Sequence, residues 1–509
     1  MTAVDETAPA RAGAREWAGL AVLALPVLVL ALDLNVLHLA APALSADLGA
    51  GSTQLLWILD VYGFMVAGLL VTMGTLGDRI GRRRLLLIGA AAFAAASVVA
   101  AYAPTAEALI AARALLGVAG ATLMPSTLGL ISNLFPDPKQ RSLAIGVWVT
   151  AFIGGSAIGP VVGGLMLERF WWGSVLLLGV PVMVLLLATG PVLLPEHRAG
   201  GGGRIDLVSA VLALAAMLPV IYGIKEFAKH GWDPLAAASL AVGAAFGALF
   251  VRRQRRLADP LVDMRLFRSR GFGAALASLL LCTVAMGGVT MLFVQYLQMV
   301  EGRSAMETGL WMIPGVAASI VVSATAPVLA RRWRPAAVIG VGLAVAILGL
   351  LLFSQVASGG VGLPVAGTVL MFIGATPLMV LGTDLVVGSA PKERASSAAS
   401  LSETTSELGS ALSIAIVGSI ITAVYGGQMA SAALAGAVPE AARDNLAAAL
   451  EAAEGLPGPE AAGLVEAGRA AFTDAVHAGA LMSAGVLAAT LAVVAVALRR
   501  VPPIGGDGH

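Results

Sequence analysis

The sequence predicts an all-α polytopic membrane protein with fourteen transmembrane helices, built as two six-helix bundles with two helices inserted between them. Three observations point there. Hydrophobic residues make up 58% of the 509 and charged residues only 12%, whereas a soluble domain is about one quarter charged. Apolar stretches of roughly 20 residues, the length that crosses a bilayer, recur along the whole chain. Lys and Arg fall mainly in every second connection between those stretches, as expected where positive charge stays inside.

The stretches lie at 18–42, 52–76, 84–103, 106–132, 142–167, 173–194, 205–225, 234–251, 271–299, 307–330, 335–354, 364–388, 397–424 and 475–499. With the N-terminus in the cytoplasm, 24 of the 31 Lys and Arg residues fall on cytoplasmic segments. They include Arg79, Arg82, Arg83 and Arg84 after the second stretch and a cluster from Arg252 to Arg270 after the eighth. Only an even number of spans, with both termini inside, keeps this alternation. A multi-pass protein of the cell (inner) membrane is expected. Arg11 and Arg15 before the first stretch resemble the start of a secretory signal. Asp33, Asn35 and His38 interrupt the stretch, which is also too long for a signal core, so it is expected to be retained as a helix.

The predicted divisions are a cytoplasmic tail (1–17), a first bundle (18–194), a linker carrying the two inserted helices and a basic loop (195–270), a second bundle (271–499) and a cytoplasmic tail (500–509). The linker begins in a glycine-rich, flexible run. Within the second bundle, 425–474 turns Ala- and Glu-rich and is expected outside the cell, as two short amphipathic helices broken at Leu456-Pro457-Gly458-Pro459. It reads either as a solvated spacer or as a lid or docking hairpin. GTLGDRIGRRR (74–84) has a faint echo in APVLARRWRP (326–335). Paired repeats with a site between them are a common transporter plan.

Ionisable groups at the bilayer centre cost at least about 2.5–3.5 kcal/mol each, so those inside spans are candidates for function. Asp33 lies in the first span, Asp60 in the second beside Trp57 and Tyr62, Arg113 in the fourth and Asp384 in the twelfth. Glu403 and Glu407 lie one turn apart on one face of the thirteenth. Asp33 and Arg113 fall at compatible depths. They read either as a static ion pair or as a proton relay, because moving a cation changes the proton affinity of its carboxylate. Glu407 joins them as a second proton site. Asp60, Trp57 and Tyr62 suggest a carboxylate beside aromatic faces for an organic cation, with Glu403 and Asp384 as further substrate groups. Asp384 has a plainer alternative, pairing with a loop Arg or Lys.

Two glycine patterns suggest moving parts. In the 74–84 loop, Gly74 and Gly77 permit close helix approach and Gly81 a tight turn. Asp78 can hydrogen-bond a neighbouring helix end, with Arg79 and Arg82 beside it, and together these make a latch. In GVWVTAFIGGSAIGPVVGG (146–164), Gly155, Gly159 and Gly163 are four apart on one face, followed by Gly164. Such a face lets another helix come close, and Pro160 bends the helix. It reads as a packing seam or as a seam that rocks during transport.

These motifs resemble the major facilitator superfamily, and within it the fourteen-helix drug:proton antiporters, most of all the quaternary-ammonium-compound efflux pumps. Residues 74–84 resemble the loop motif between helices 2 and 3, and Arg113-Ala-Leu-Leu-Gly117-Val-Ala-Gly120 resembles the helix 4 motif. Gly155 to Gly164 resemble the antiporter signature of helix 5, and Leu32 to Pro42 the helix 1 motif. The chain departs at Asn35 and His38, and between Gly309 and Pro327, which hold Ser319 and Ser323 but no Asp or Glu. The resemblance implies proton-driven export of lipophilic cationic small molecules, with protons and membrane lipids as the other partners. An exporter of a native metabolite or lipid, or a transporter-like sensor or envelope-assembly accessory, are the alternatives. No nucleophile–base or metal-ligand spacing points to an enzyme, and no cofactor, metal or nucleic-acid partner is expected. The single Cys282 makes no internal disulfide. A monomer is expected.

Overall fold

A computed structural model describes residues 12–50, 52–196, 207–230, 233–257, 260, 262, 264–357, 359–391, 395–431, 442–443, 445–499 and 501–503. The described chain is all-α. Its helices are α1 (Ala14–Leu48), α2 (Ser52–Ile80), α3 (Arg82–Ala101), α4 (Ala106–Leu134), α5 (Pro138–Arg169), α6 (Gly179–Leu193), α7 (Leu207–His230), α8 (Pro234–Gln254), α9 (Arg270–Gln295), α10 (Ala305–Leu329), α11 (Pro335–Phe353), α12 (Gly362–Gly388), α13 (Ala395–Ser431), α14 (Leu446–Glu454) and α15 (Gly458–Ala497). Among the described residues twelve helices are long and apolar enough to cross a membrane, and thirteen when the bent α5 counts as one span. α7 adds a shorter apolar helix, Val211–Ile224. The protein is a multi-pass membrane protein. The glycine-rich run 197–206 and residues 432–441 lie outside the described residues.

Local chemistry starts and stops the helices. Thr105 accepts from the Ala108 amide at 3.2 Å at the start of α4, and Asp137 and Asp233 cap α5 and α8 with proline next in line. Ser304 and Glu307 form a reciprocal capping box on α10. α2 and α3 are separated by Gly81 alone, whose φ of 110° falls where a side chain is strained.

Two large apolar cores organise the molecule. One gathers α1 to α6 around Leu23, Val27, Phe93 and Leu116. The other gathers α9 to α15 around Phe293, Leu343, Leu378 and Val476. α7 packs on α8 and touches α2 and α13, with Ile221 and Ile224 against Phe64 and Ala411. Only 11% of the apolar window of α8 is buried, so most of that helix faces lipid.

The expected glycine seam is present and joins two helices of the first core. A Cβ on Gly155 would collide with the backbone carbonyl of Leu28, and one on Gly163 would sit 2.8 Å from Val36 Cγ1, so the glycine face of α5 lies against α1. α5 meets the second core elsewhere, through Arg141, Gly146 and Thr150. The helix bends by 42° between Ser156 and Val161, a break that contains Gly159 and Pro160; the side chain of Pro160 lies outside the described residues. Overpacking costs about 1–3 kcal/mol, so Gly155→Val should lower the thermal midpoint of the purified protein by several degrees. Gly164→Val should leave it unchanged, since nothing lies within 4 Å of Gly164. Equal midpoints for the two variants would refute the seam.

The Ala- and Glu-rich segment differs from expectation in one respect. Its second helix is not separate from the last span. α15 runs unbroken for 40 residues, about 60 Å at 1.5 Å per residue, twice the hydrocarbon thickness. After Pro459 no proline interrupts it, and Leu464, Ala471 and Phe472 are buried along its outer part with Leu446 and Ala449 of α14. Tyr425 donates to the Ala442 carbonyl at 3.2 Å and Arg469 Nε to that of Met299 at 3.2 Å, tying the hairpin to the second core.

Candidate proton and substrate site

Asp33 and Arg113 meet. Arg113 Nη1 donates to Asp33 Oδ2 at 2.7 Å, with the two residues 1% and 9% exposed. The same guanidinium donates through Nε to the Ile58 carbonyl at 3.3 Å, and its Cζ lies 4.6 Å from the centre of the Tyr62 ring. Glycine brings the helices this close: a Cβ on Gly117 would stand 2.6 Å from Met65 Cβ and from the Tyr62 carbonyl. A buried pair of this kind is held by its mutual attraction against a large desolvation cost, so removing either partner strands the other. Glu407, on α13, is within electrostatic reach of Tyr62, and Glu403 of Glu407. Asp33, Arg113 and Tyr62 therefore form one buried cluster inside the first core, with Glu407 of α13 as an electrostatic neighbour.

Tyr62 occupies a different place from the one its sequence neighbours suggested. It is buried over Arg113, not displayed beside Trp57. Trp57 is 43% exposed and stacks edge-on against Phe64 at 6.1 Å. Residues 57 and 64 are seven apart and share a helix face, whereas 62 points elsewhere. The side chains of Asp60, Asn35 and His38 lie outside the described residues.

The 74–84 segment forms an interhelix lock. Asp78 Oδ1 accepts from Arg82 Nε at 2.9 Å, while Oδ2 accepts from the Ser397 amide at 3.1 Å and its hydroxyl at 3.0 Å. Ser397 lies in the first turn of α13, where unpaired amides and the helix dipole favour a carboxylate. Arg82 is fully buried and also donates to the Gly129 carbonyl at 2.7 Å. Gly77 lies close to Leu85 and Ser126, at 3.3 and 3.6 Å from a Cβ built there; Gly74 is buried and Arg79 half-buried at the end of α2. A second lock lies at the same end of the helices. Arg141, in the first turn of α5, donates from Nε to Asp384 Oδ1 at 2.8 Å. Asp384 is thus held by a cation of the first core, the pairing with a loop arginine that stood beside the substrate reading for it. A third contact joins α5 to α10. The hydroxyls of Thr150 and Ser323 are hydrogen-bonded, and a Cβ on Gly146 would stand 2.5 Å from the Ser323 carbonyl. Arg331 also donates to the Lys139 carbonyl at 3.2 Å. Ser397 and Thr150 carried no signal in the sequence, and nothing there singled out Arg141 among the loop cations or Ser323 as a partner. Each is an ordinary residue whose role is set by a segment far away in the chain.

The locks sit at the end of the helices that holds the α2–α3 turn. A multi-pass helical protein with a buried carboxylate–arginine pair inside one core, and breakable polar locks between two cores at one membrane face, has the build of a transporter. The chain belongs to the major facilitator superfamily: the sequence model described as Major Facilitator Superfamily matches residues 23–414. It is 42% identical over 496 residues to the multidrug efflux pump LfrA of Mycolicibacterium smegmatis, covering 96% of this chain and 98% of that protein. It is 34% identical over 490 residues to the methyl viologen resistance protein SmvA of Salmonella typhimurium, covering 94% and 97%. Among solved structures, the human organic anion transporter MFSD10 superposes with a TM-score of 0.60 at 15% identity, covering 94% of this chain and 99% of that one, a likeness of fold alone.

Proposed function

We propose that the protein is a proton-coupled antiporter that exports lipophilic cationic drugs, dyes or antiseptics across the cell (inner) membrane by alternating access. The buried Asp33–Arg113 pair, covered by Tyr62, is the observation that carries this reading. Its likeness to the multidrug efflux pump LfrA and to the methyl viologen resistance protein SmvA supports this reading. In this reading the chain has fourteen spans, with α1–α6 and the last six spans as two bundles and α7 and α8 inserted. It works as a monomer on the proton gradient, without a bound cofactor. The lysine- and arginine-rich connections put the locks and both termini on the cytoplasmic side, so the structure corresponds to a state closed to the cytoplasm.

Protonation of Asp33 breaks its pairing with Arg113, and the freed guanidinium seeks a new partner. Glu407 supplies a second exchangeable carboxylate on the opposite bundle. A cation and a proton cannot both neutralise one carboxylate, and that competition couples the two flows. Asp60, Trp57, Tyr62, Glu403 and Asp384 remain the proposed substrate set, with Tyr62 acting through Arg113 and Asp384 through the Arg141 lock. α10 has no carboxylate between Gly309 and Pro327, so monocations should be favoured over dications. The test is efflux of mono- and dicationic dyes from cells with and without an uncoupler. Uncoupler-sensitive export that falls from mono- to dications is expected. Export that ignores the uncoupler, or that does not need a cationic headgroup, overturns the reading.

A further inference from the structure

The cytoplasmic end of α8 carries three arginines that take no part in the locks. Arg252 lies in the last turn of α8, and Arg255 and Arg256 follow at its C-terminal cap and in the turn beyond it. With Gly247, Ala248 and Val251 they line a cleft of about 470 Å3. Their neighbours turn the other way. Arg253 Nε and Gln254 Nε2 donate to Ser209 Oγ at 3.1 and 2.8 Å, and Gln254 Oε1 accepts from the Val262 amide at 3.2 Å. These bonds pin the end of α8 to α7 and fix which face stays outward. Among the described residues no carboxylate pairs with Arg252, Arg255 or Arg256. Three like charges within two turns repel one another, and an anion placed among them relieves that cost.

Depth and lining decide which anion. The arginines follow directly on a lipid-facing apolar helix, so they stand at the level of the headgroups. The wall above them is Val251, Ala248 and the bare backbone of Gly247, an apolar groove leading toward the bilayer interior. We propose that this cleft binds an anionic phospholipid, its phosphate on the guanidinium forks of Arg252, Arg255 and Arg256 and an acyl chain along Gly247, Ala248 and Val251. Guanidinium forks match phosphate oxygens with paired hydrogen bonds, and basic clefts on this side of a membrane suit such headgroups.

Native mass spectrometry of the purified full-length protein tests this, with phosphatidylglycerol, phosphatidylcholine or inorganic phosphate added. Retention of phosphatidylglycerol but not phosphatidylcholine is expected, undiminished by millimolar phosphate. The triple variant R252Q/R255Q/R256Q should lose most of the retained lipid, and R252K/R255K/R256K should keep an intermediate share. Both must elute as a single species with unchanged helical circular dichroism; the lysine variant carries the test if the glutamine variant does not fold. A control variant, R84Q/R332Q/R499Q, removes three exposed arginines from the same membrane face and should retain lipid like the parent. Equal retention of the two lipids, displacement by inorganic phosphate, or an equal loss in the control variant overturns the proposal.

Discussion

Asp33→Asn should abolish proton-driven dye efflux in everted membrane vesicles while leaving the amount of protein in the membrane near normal. The change keeps the size of the side chain and removes only its charge and its ability to exchange a proton. Arg113 is then left 1% exposed with no ionised partner, and stranding one member of a buried pair costs about 3–5 kcal/mol. That cost is partly offset by the Ile58 carbonyl and the face of Tyr62, both of which already touch the guanidinium. A structural ion pair and a proton relay predict different outcomes for Asp33→Glu. A relay restores part of the pH-gradient-driven transport because a titratable carboxyl returns, with a shifted pH profile. Undiminished gradient-driven efflux by Asp33→Asn would refute the relay.

The second large effect is expected at the lock. Asp78→Ala removes two hydrogen bonds to Ser397 and leaves the fully buried Arg82 without its carboxylate. Hydrogen bonds to a charged group are worth about 1.5–3 kcal/mol each, so the balance between locked and open forms should move by roughly a hundredfold or more. The measurement is spin-label distances between the ends of α2 and α13 that carry Asp78 and Ser397. The single native thiol, Cys282, is fully buried, so introduced cysteines are labelled without removing it. A population with lengthened distances and reduced net efflux is expected for Asp78→Ala, and little change for Asp78→Glu. Unchanged distances in Asp78→Ala would show that the lock does not hold this end closed.

What was legible in the sequence follows from how costly each feature is. Charges inside apolar runs stand out because lipid tolerates few, and so Asp33, Arg113, Glu403 and Glu407 could be named and a pairing of Asp33 with Arg113 expected. Glycine spacing announced a close approach of helices, but a bare face does not say what lies against it. Gly155 and Gly163 meet α1, while the join to the second core is made by Gly146, which belongs to no spacing pattern. Asp78 was marked by its neighbours as a lock, yet Ser397 is 319 residues away in a run of serines and alanines. Arg141 counted only as one more positive residue in a loop, although it neutralises Asp384 across 243 residues. Tyr62 was read from its nearness to Asp60 in the chain, where the helical period turns it away toward Arg113. The last helix was cut at the composition change near Asp474, but an Ala-rich helix with a continuous apolar stripe has no physical reason to stop there.

That last helix has a mechanical consequence. α15 is one unbroken helix that contributes to the second core along its length, so a tilt of that core carries the N-terminal tip of the helix with it. A tilt of about 10° over its length of about 60 Å displaces the tip by about 10 Å. With α1–α6 and α9–α15 moving against each other as proposed, a single fluorescent label at Ala461 is expected to report the displacement of the hairpin of α14 and α15.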